Sequence, residues 1–295
     1  MLVTRFAPSP SGYLHLGHAY SAIFAYKIAK ENNGKFILRM EDIDTTRCKR
    51  KYEEAILEDL EWLGLKWSNP VRRQSEHLAY YQEALQKLKC MGLLYPCFCT
   101  RSDILTEIMS ATDAPHNRTS FIYPGTCRHL PFNIQKTKLC NNKNHSFRLD
   151  IQKAIKSSKP LYWEEFSKKK IRVKADYFGD IVIARKDIPT SYHLAVTLDD
   201  HIQDISLVTR GADLFESTHI QRMIQSLLGL QVPIYRHHQL LKTSKGKRFA
   251  KRNRSLTLRN LRKSGYAPDS IWKAMLNENY VSQFIYSVEQ EFGLI

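Results

Sequence analysis

His15 and His18, with Gly17 between them, follow the rigid turn Pro8-Ser9-Pro10-Ser11-Gly12. If this pair opens a helix, these residue types can do phosphate chemistry. A helix N-terminus offers unpaired N–H groups and the positive end of a dipole, which suits a triphosphate. The two imidazoles would add directed donors to charge developing on the phosphates, and Gly17 would clear room for a flat base against the backbone. Two ordinary surface histidines are the alternative for so short a string. A second constellation, Cys97-Phe98-Cys99 followed by Cys127, supplies three thiolates on loops, the donor type of a structural Zn2+. On residue types the fourth ligand stays open. His129 and Cys140 are the usual kinds, while Tyr123 has a phenol of pKa about 10 that a metal would have to deprotonate. Three free cysteines are the alternative to a metal site, and Cys48 and Cys90 fall in helical patterns and read as inert thiols.

The elements that must position these groups follow from the hydrophobic pattern. Val3 to Ala7 is β-compatible, Ala19 to Glu31 carries apolar residues at helical spacing, Asn32-Asn33-Gly34 ends that helix, and Phe36-Ile37-Leu38 begins a buried strand. This is a βαβ unit with the histidines at its first turn. Helices are expected at about Lys51 to Leu63 and Glu76 to Lys89. From Tyr95 to Lys174 the periodicity weakens and the cysteines cluster, as in an insertion between two halves of a larger fold. The parallel sheet is expected to resume with Ile181 to Ala184, Leu194 to Thr197 and Ile205 to Thr209. Thr218 with Gln221 three residues on predicts a capping box opening a further helix. Ser255 to Lys263 and Asp269 to Leu276 complete the pattern.

The chain has 295 residues, 43% of them hydrophobic and 25% charged, which excludes a disordered or fibrous protein. No window approaches the roughly 18 consecutive apolar residues of a membrane span, so no membrane partner and a cytoplasmic location are expected. Six cysteines in a chain this long do not make a secreted disulfide lattice. The formal net charge is +16, and Arg236 to Lys263 contains eleven Lys or Arg and no Asp or Glu. Such a stretch favours a polyanion, with a merely solvated basic face as the alternative.

Larger motifs carry a resemblance. Arg5-Phe6-Ala7-Pro8-Ser9-Pro10-Ser11-Gly12 leading into His15-Leu16-Gly17-His18, then Arg39-Met40-Glu41-Asp42-Ile43-Asp44, resembles the catalytic core of the class I glutamyl-tRNA synthetases. Ser191-Tyr192-His193-Leu194-Ala195-Val196, Asp199-Asp200 and Thr209-Arg210-Gly211-Ala212-Asp213-Leu214 resemble the second half of the same site, in the same order. The resemblance implies a glutamate pocket made by Arg5, Phe6, Ala7, Pro8, Ser9, Glu41, Tyr192 and Arg210. Residue types agree: the guanidiniums of Arg5 and Arg210 suit carboxylates, Glu41 suits an ammonium, and Tyr192 can close the pocket. A buried ion-pair network that only stabilises the fold is the competing role for Arg5, Arg210 and Glu41.

The resemblance further implies ATP with Mg2+ at His15, Gly17 and His18, completed by a loop usually written Lys-Met-Ser-Lys-Ser. Lys242-Thr243-Ser244-Lys245 and Arg248-Phe249-Ala250-Lys251-Arg252 compete for it. The second has the hydrophobic second position and follows Gly246, which assigns Arg248 and Lys251 to ATP and makes Lys251 catalytic with His15 and His18. In the glutamyl-Q subgroup a Cys-x-Cys and Tyr-x-x-x-Cys pattern implies Zn2+ on Cys97, Cys99, Tyr123 and Cys127.

The expected architecture is α/β. Residues 1–94 and 175–245 form the two halves of a Rossmann-like parallel-sheet catalytic domain, 95–174 a zinc-containing insertion, and 246–295 the ATP loop with a short helical subdomain. The length leaves room there for two or three short helices and no anticodon-binding domain. The chain therefore most resembles the glutamyl-Q tRNA(Asp) synthetases, and a monomer is expected. That resemblance implies activation of L-glutamate by ATP and its transfer to queuosine in tRNA(Asp). A minimal enzyme charging tRNA(Glu) and a non-catalytic RNA-binding relative are the alternatives.

Overall fold

The computed structural model describes residues 1–110, 122–141, 143–166, 169–246, 249 and 256–294. Strands β1 (Val3–Phe6), β2 (Lys35–Met40) and β3 (Ser68–Arg73) form a parallel sheet, with helix Leu16–Glu31 crossing from β1 to β2 and helix Arg50–Trp62 between β2 and β3. Strands β4 (Leu94–Cys97), β5 (Ser146–Leu149), β6 (Tyr162–Glu165), β7 (Lys169–Arg172), β8 (Val182–Ala184), β9 (Leu207–Gly211) and β10 (Ile234–His238) follow. β9, β10 and β6 are parallel neighbours, and β7 closes that edge antiparallel to β6.

The two parallel sheets meet along β1 and β9. The Ser206 N–H donates to the Val3 carbonyl at 3.2 Å, and the Val3 N–H donates to Ser206 Oγ at 2.9 Å. The composite order is therefore β3-β2-β1-β9-β10-β6-β7, with the chain running outward in opposite directions from the β1/β9 seam. Loops diverge at such a switch point and leave a crevice beyond the carboxyl ends of the strands.

Four local readings change. Ile181 to Ala184 does not resume the parallel sheet: β8 pairs antiparallel with β5, which pairs antiparallel with β4, in a separate sheet. Leu194 to Thr197 is helical, within helix Tyr192–Ile202, whose first turn is capped by Ser191 Oγ accepting from the Leu194 N–H. All seven residues from Leu194 to Asp200 are buried, so no polar face marks the helical period and the β-branched Val196 and Thr197 mislead. Thr218 and Gln221 do not form a capping box, since helix Ser217–Leu228 begins after Glu216 without a side-chain cap. Cys48 precedes helix Arg50–Trp62 rather than lying in it.

The segment 95–174 divides between sheets, β4 and β5 joining β8 while β6 and β7 extend the β9–β10 sheet. Helices Leu258–Lys263, Pro268–Leu276 and Glu278–Glu291 are packed into the first half of the fold. Leu258, Leu261, Ile271 and Phe284 share one core with Leu14, Leu16, Ile23 and Leu60. Burying each such side chain contributes about 1.5–3 kcal/mol, enough to hold the helices against the residues that start at His15. The Leu258 N–H also donates to the Leu14 carbonyl at 2.8 Å. No helix among the described residues is long and apolar enough to cross a membrane.

Candidate active site

The crevice at the seam is a cleft of about 540 Å3, within the ordinary range for small-molecule sites. Arg5, Phe6, Ala7, Pro8 and Ser9 line it from the end of β1, and His15, Gly17 and His18 from the start of the first helix. Glu41 lines it from the end of β2, Tyr192 from its helix and Arg210 from β9. Backbone bonds tie these segments together: the Glu41 N–H donates to the Pro8 carbonyl at 3.0 Å, and Lys49 N–H to the Pro10 carbonyl at 2.9 Å. His15 is the residue before helix Leu16–Glu31. Its backbone N–H donates to Nδ1 of His18 at 3.2 Å, so a neutral His18 carries its proton on Nε2. The two rings lie 3.7 Å apart, and His15 stacks at 5.9 Å on Phe249. A side chain at Gly17 would meet the His15 ring at 3.1 Å, so the absence of Cβ makes room for that ring. Arg248 and Lys251 lie outside the described residues.

The guanidiniums are held before any ligand arrives. Arg5 donates from Nε and Nη2 to the two oxygens of Asp200, at 3.1 and 3.3 Å, and from Nη1 to the Thr209 carbonyl at 2.9 Å. Arg210 donates from Nη1 to Gln221 at 2.8 Å, from Nη2 to Thr218 at 2.6 Å and from Nε to Nε2 of His237 at 3.1 Å. Thr218 and Gln221, whose spacing reads as a cap, instead clamp a site residue. A guanidinium has five N–H donors, so each arginine keeps one N–H on each terminal nitrogen. The ion-pair role and the ligand role of Arg5 are thus compatible.

Beneath the cleft lies a network that sequence reasoning missed. Arg39 is fully buried and bridges Asp200 at 2.9 Å, Glu41 at 3.3 Å and Asp199 at 3.9 Å. Asp199 also accepts from Arg72, Gln74 and Tyr81 at 2.8–3.0 Å. Burial alone would push the Asp200 carboxyl up, but Arg5 and Arg39 hold it below the usual range. Burial raises Glu41, opposed by the charges of Arg39 and Arg5. Burial likewise raises the Tyr192 phenol, which stays protonated and able to donate. His193, beside Tyr192, is driven down to about 4 by burial and by Arg210.

Thr209, Gly211, Asp213 and His238 also line the cleft. The first three sit inside a quoted motif from which Arg210 alone was singled out; His238 stood among basic residues. A Cβ on Gly211 would fall 2.6 Å from the side-chain ends of both Asp213 and Leu240, so a larger residue there would have to displace these two cleft-lining side chains.

The cysteines form a different place. Sulfurs of Cys97, Cys99 and Cys127 all lie within 4.8 Å of one another, with the Tyr123 hydroxyl 3.5 Å from Cys97 and 3.6 Å from Cys99. Tetrahedral Zn2+ with bonds near 2.3 Å spaces its sulfurs at about 3.8 Å, which this donor set fits. His129 and Cys140 are not in the group. Arg148 stacks on the Tyr123 ring at 3.8 Å, and Asp180 ties Tyr95, Arg128 and the Ile151 N–H to the adjoining sheet.

Residues 1–287 match the family described as tRNA synthetases class I (E and Q), catalytic domain. The chain belongs to that family. As a class I tRNA synthetase it is a ligase-type enzyme, and its Rossmann-like parallel sheet is the fold of that catalytic domain. It is 41% identical over 276 residues to a glutamyl-Q tRNA(Asp) synthetase of Rhodobacter capsulatus, covering 92% of this chain and 98% of that one. It is 38% identical to a glutamate–tRNA ligase of Aquifex aeolicus over 91% of this chain and 55% of the ligase. A crystal structure of the glutamate–tRNA synthetase of Elizabethkingia anophelis superposes with a TM-score of 0.72 at 28% identity, covering 90% of this synthetase chain and 54% of that protein. The chain therefore spans little more than half the length of those two relatives.

Proposed function

We propose that the protein activates L-glutamate with ATP and transfers the glutamyl group to queuosine in the anticodon loop of tRNA(Asp). The observation that carries the reading is the meeting, in one cleft, of two held guanidiniums, a buried carboxylate and a helix N-terminus bearing His15 and His18. Arg210 and Arg5 each keep two donors for the carboxylates of the amino acid, and Glu41 balances its ammonium. Arg39 fixes Glu41, and Tyr192 closes the pocket.

In the first step a glutamate α-carboxylate oxygen bonds to the α-phosphorus of ATP, and the bond to the β-phosphate oxygen breaks. The electron pair leaves with pyrophosphate. His15 and His18, at the helix N-terminus, donate to the phosphate oxygens as charge grows on them, with Arg248, Lys251 and Mg2+ assigned to the leaving group. In the second step a hydroxyl of the queuosine cyclopentenediol attacks the activated carbonyl carbon, AMP departs, and the hydroxyl proton passes to a phosphate oxygen of the leaving group. Zn2+ held by Cys97, Cys99, Tyr123 and Cys127 would brace the insertion without entering either step.

The likeness to the Rhodobacter protein over nearly its whole length supports queuosine as the acceptor. Glutamate-dependent pyrophosphate exchange should occur without tRNA, and labelled glutamate should appear on queuosine-containing tRNA(Asp), surviving oxidation of its 3′ end. Label on tRNA(Glu) would favour the reading suggested by the Aquifex ligase, and no exchange would favour a non-catalytic RNA-binding protein. Arg210→Ala should lower kcat/KM for glutamate in the exchange by roughly 10³-fold, the scale of losing a buried charge pairing.

A further inference from the structure

Thr218 and Gln221 touch Arg210 through neutral oxygens, but its third partner belongs to a longer chain of contacts. His237 does not line the cleft; it reaches Arg210 from β10, where Nε2 accepts the Arg210 Nε–H at 3.1 Å. An Nε2 that accepts carries no proton, so the ring proton must be on Nδ1. That nitrogen lies 2.8 Å from Glu165 Oε2, and Oε1 of the same carboxylate accepts the backbone N–H of His237, also at 2.8 Å. An ionised carboxylate only accepts, so Glu165 dictates the tautomer. The ring cannot turn away: Phe215 and Trp163 contact it edge-on at 5.0 and 5.9 Å, and Tyr235 lies parallel to it.

We propose that Glu165 and His237 are a positioning couple, which by holding the imidazole in its Nδ1–H form presents the Arg210 guanidinium to the side-chain carboxylate of the amino acid. The proposal rests on the reading of the cleft as a glutamate site. It gives β6 a part in amino-acid recognition although none of its residues lines the cleft.

The couple makes recognition pH-dependent. The groups facing His237 are Glu165 on β6, Arg210 on β9, His238 and Tyr235 on β10, and the Thr218 hydroxyl, 3.4 Å from Nε2, on helix Ser217–Leu228. Lys169 on β7 stands opposite Glu165 in the register. Burial holds the His237 pKa below its ordinary value, against the pull of Glu165, so the ring is neutral at pH 7. Protonation at Nε2 would set two donors against each other and add a positive charge beside Arg210. Affinity for glutamate then falls only as pH drops through the lowered pKa of this ring, below the ordinary histidine range.

The test is glutamate-dependent pyrophosphate exchange by the full chain between pH 5 and 8, with KM for glutamate and for ATP and kcat measured separately. Glu165→Gln is nearly isosteric but can turn an amide N–H toward Nδ1, which favours the wrong tautomer. It and His237→Phe should raise KM for glutamate roughly 10- to 100-fold, the worth of one hydrogen bond to a buried charge, with KM for ATP and kcat within about 2-fold. His237→Gln, whose carbonyl can accept from Arg210, should recover most of the affinity and lose the acidic limb seen in the wild type. If Arg210→Ala raises KM for glutamate while Glu165→Gln and His237→Phe leave it unchanged, the couple is refuted and the glutamate reading stands. If Arg210→Ala leaves it unchanged, both fall. Equal weakening of glutamate and ATP, with a lowered melting temperature, would show a structural role and also overturn the proposal.

Discussion

Arg210 and Cys127 are buried alike, 5% and 3% exposed, yet their surroundings ask for different things. Each nitrogen of Arg210 already has an acceptor, and the neighbouring Arg5 and Arg39 share the carboxylate of Asp200. Around Cys127 the groups compete. Its sulfur is 3.4 Å from that of Cys99, and hydrogen bonds from Cys127, Tyr123 and Arg148 pull the Cys97 thiol down to about 4 while the same bond to Cys97, together with burial, drives the Cys127 thiol up. Close thiols cannot all ionise without a cation. The cleft is an electrostatic framework completed by the chain itself, whereas the three sulfurs of the cysteine cluster are a donor set that could hold a metal.

Three measurements would break or sharpen that contrast. Asp200→Asn removes the carboxylate that hydrogen-bonds to both Arg5 and Arg39 and should destabilise the protein by about 3–5 kcal/mol in urea unfolding, with metal content unchanged. A loss below about 1 kcal/mol would mean that the cleft does not depend on its internal ion pairs. Cys99→Ala should take zinc from one equivalent to none by elemental analysis and lower the melting temperature by roughly 5 °C, while pyrophosphate exchange stays within about 3-fold of wild type. Loss of exchange in that variant would join the two regions into one functional unit.

The smallest effect is in acid. His193 sits in the fold with a pKa near 4 against about 6.5 when unfolded, so the folded state binds fewer protons between those values. Stability should therefore be lost as pH falls from about 6.5 to 4, by about 3 kcal/mol, and that loss should be missing in His193→Gln. The same acid slope in both proteins would place the acid sensitivity elsewhere.

Much of the cleft was legible because its parts are local. A proline-rich turn after a strand, followed by His15 and His18, states its own geometry within a few residues, and the Thr209 to Leu214 segment does so at the other side of the seam. The cysteine spacing likewise marked a cluster that the fold brings together. Arg39 was quoted in a motif but given no task, because its partners Asp199 and Asp200 are about 160 positions away. Thr218 and Gln221 obey the local rule for a helix cap, and the structure uses them otherwise because Arg210, eleven residues before Gln221, needs acceptors. Helix Tyr192–Ile202 was misread in part since a segment buried on all sides has no polar face to reveal its period.

The sequence by itself determined which chemical groups are present and the turns that display them: the helix start bearing two histidines, the arginine and glutamate types suited to an amino acid, and the thiol spacing. Those depend on neighbours in the chain. Tertiary structure decided how each group is held, by joining β1 to β9 and setting β6 beside β10. Charge and tautomer inside a protein depend on what lies within a few ångströms in space. The partners of Arg5 at Asp200, and of Arg210 at His237 and Glu165, are set by sheet order and register, which no local pattern encodes.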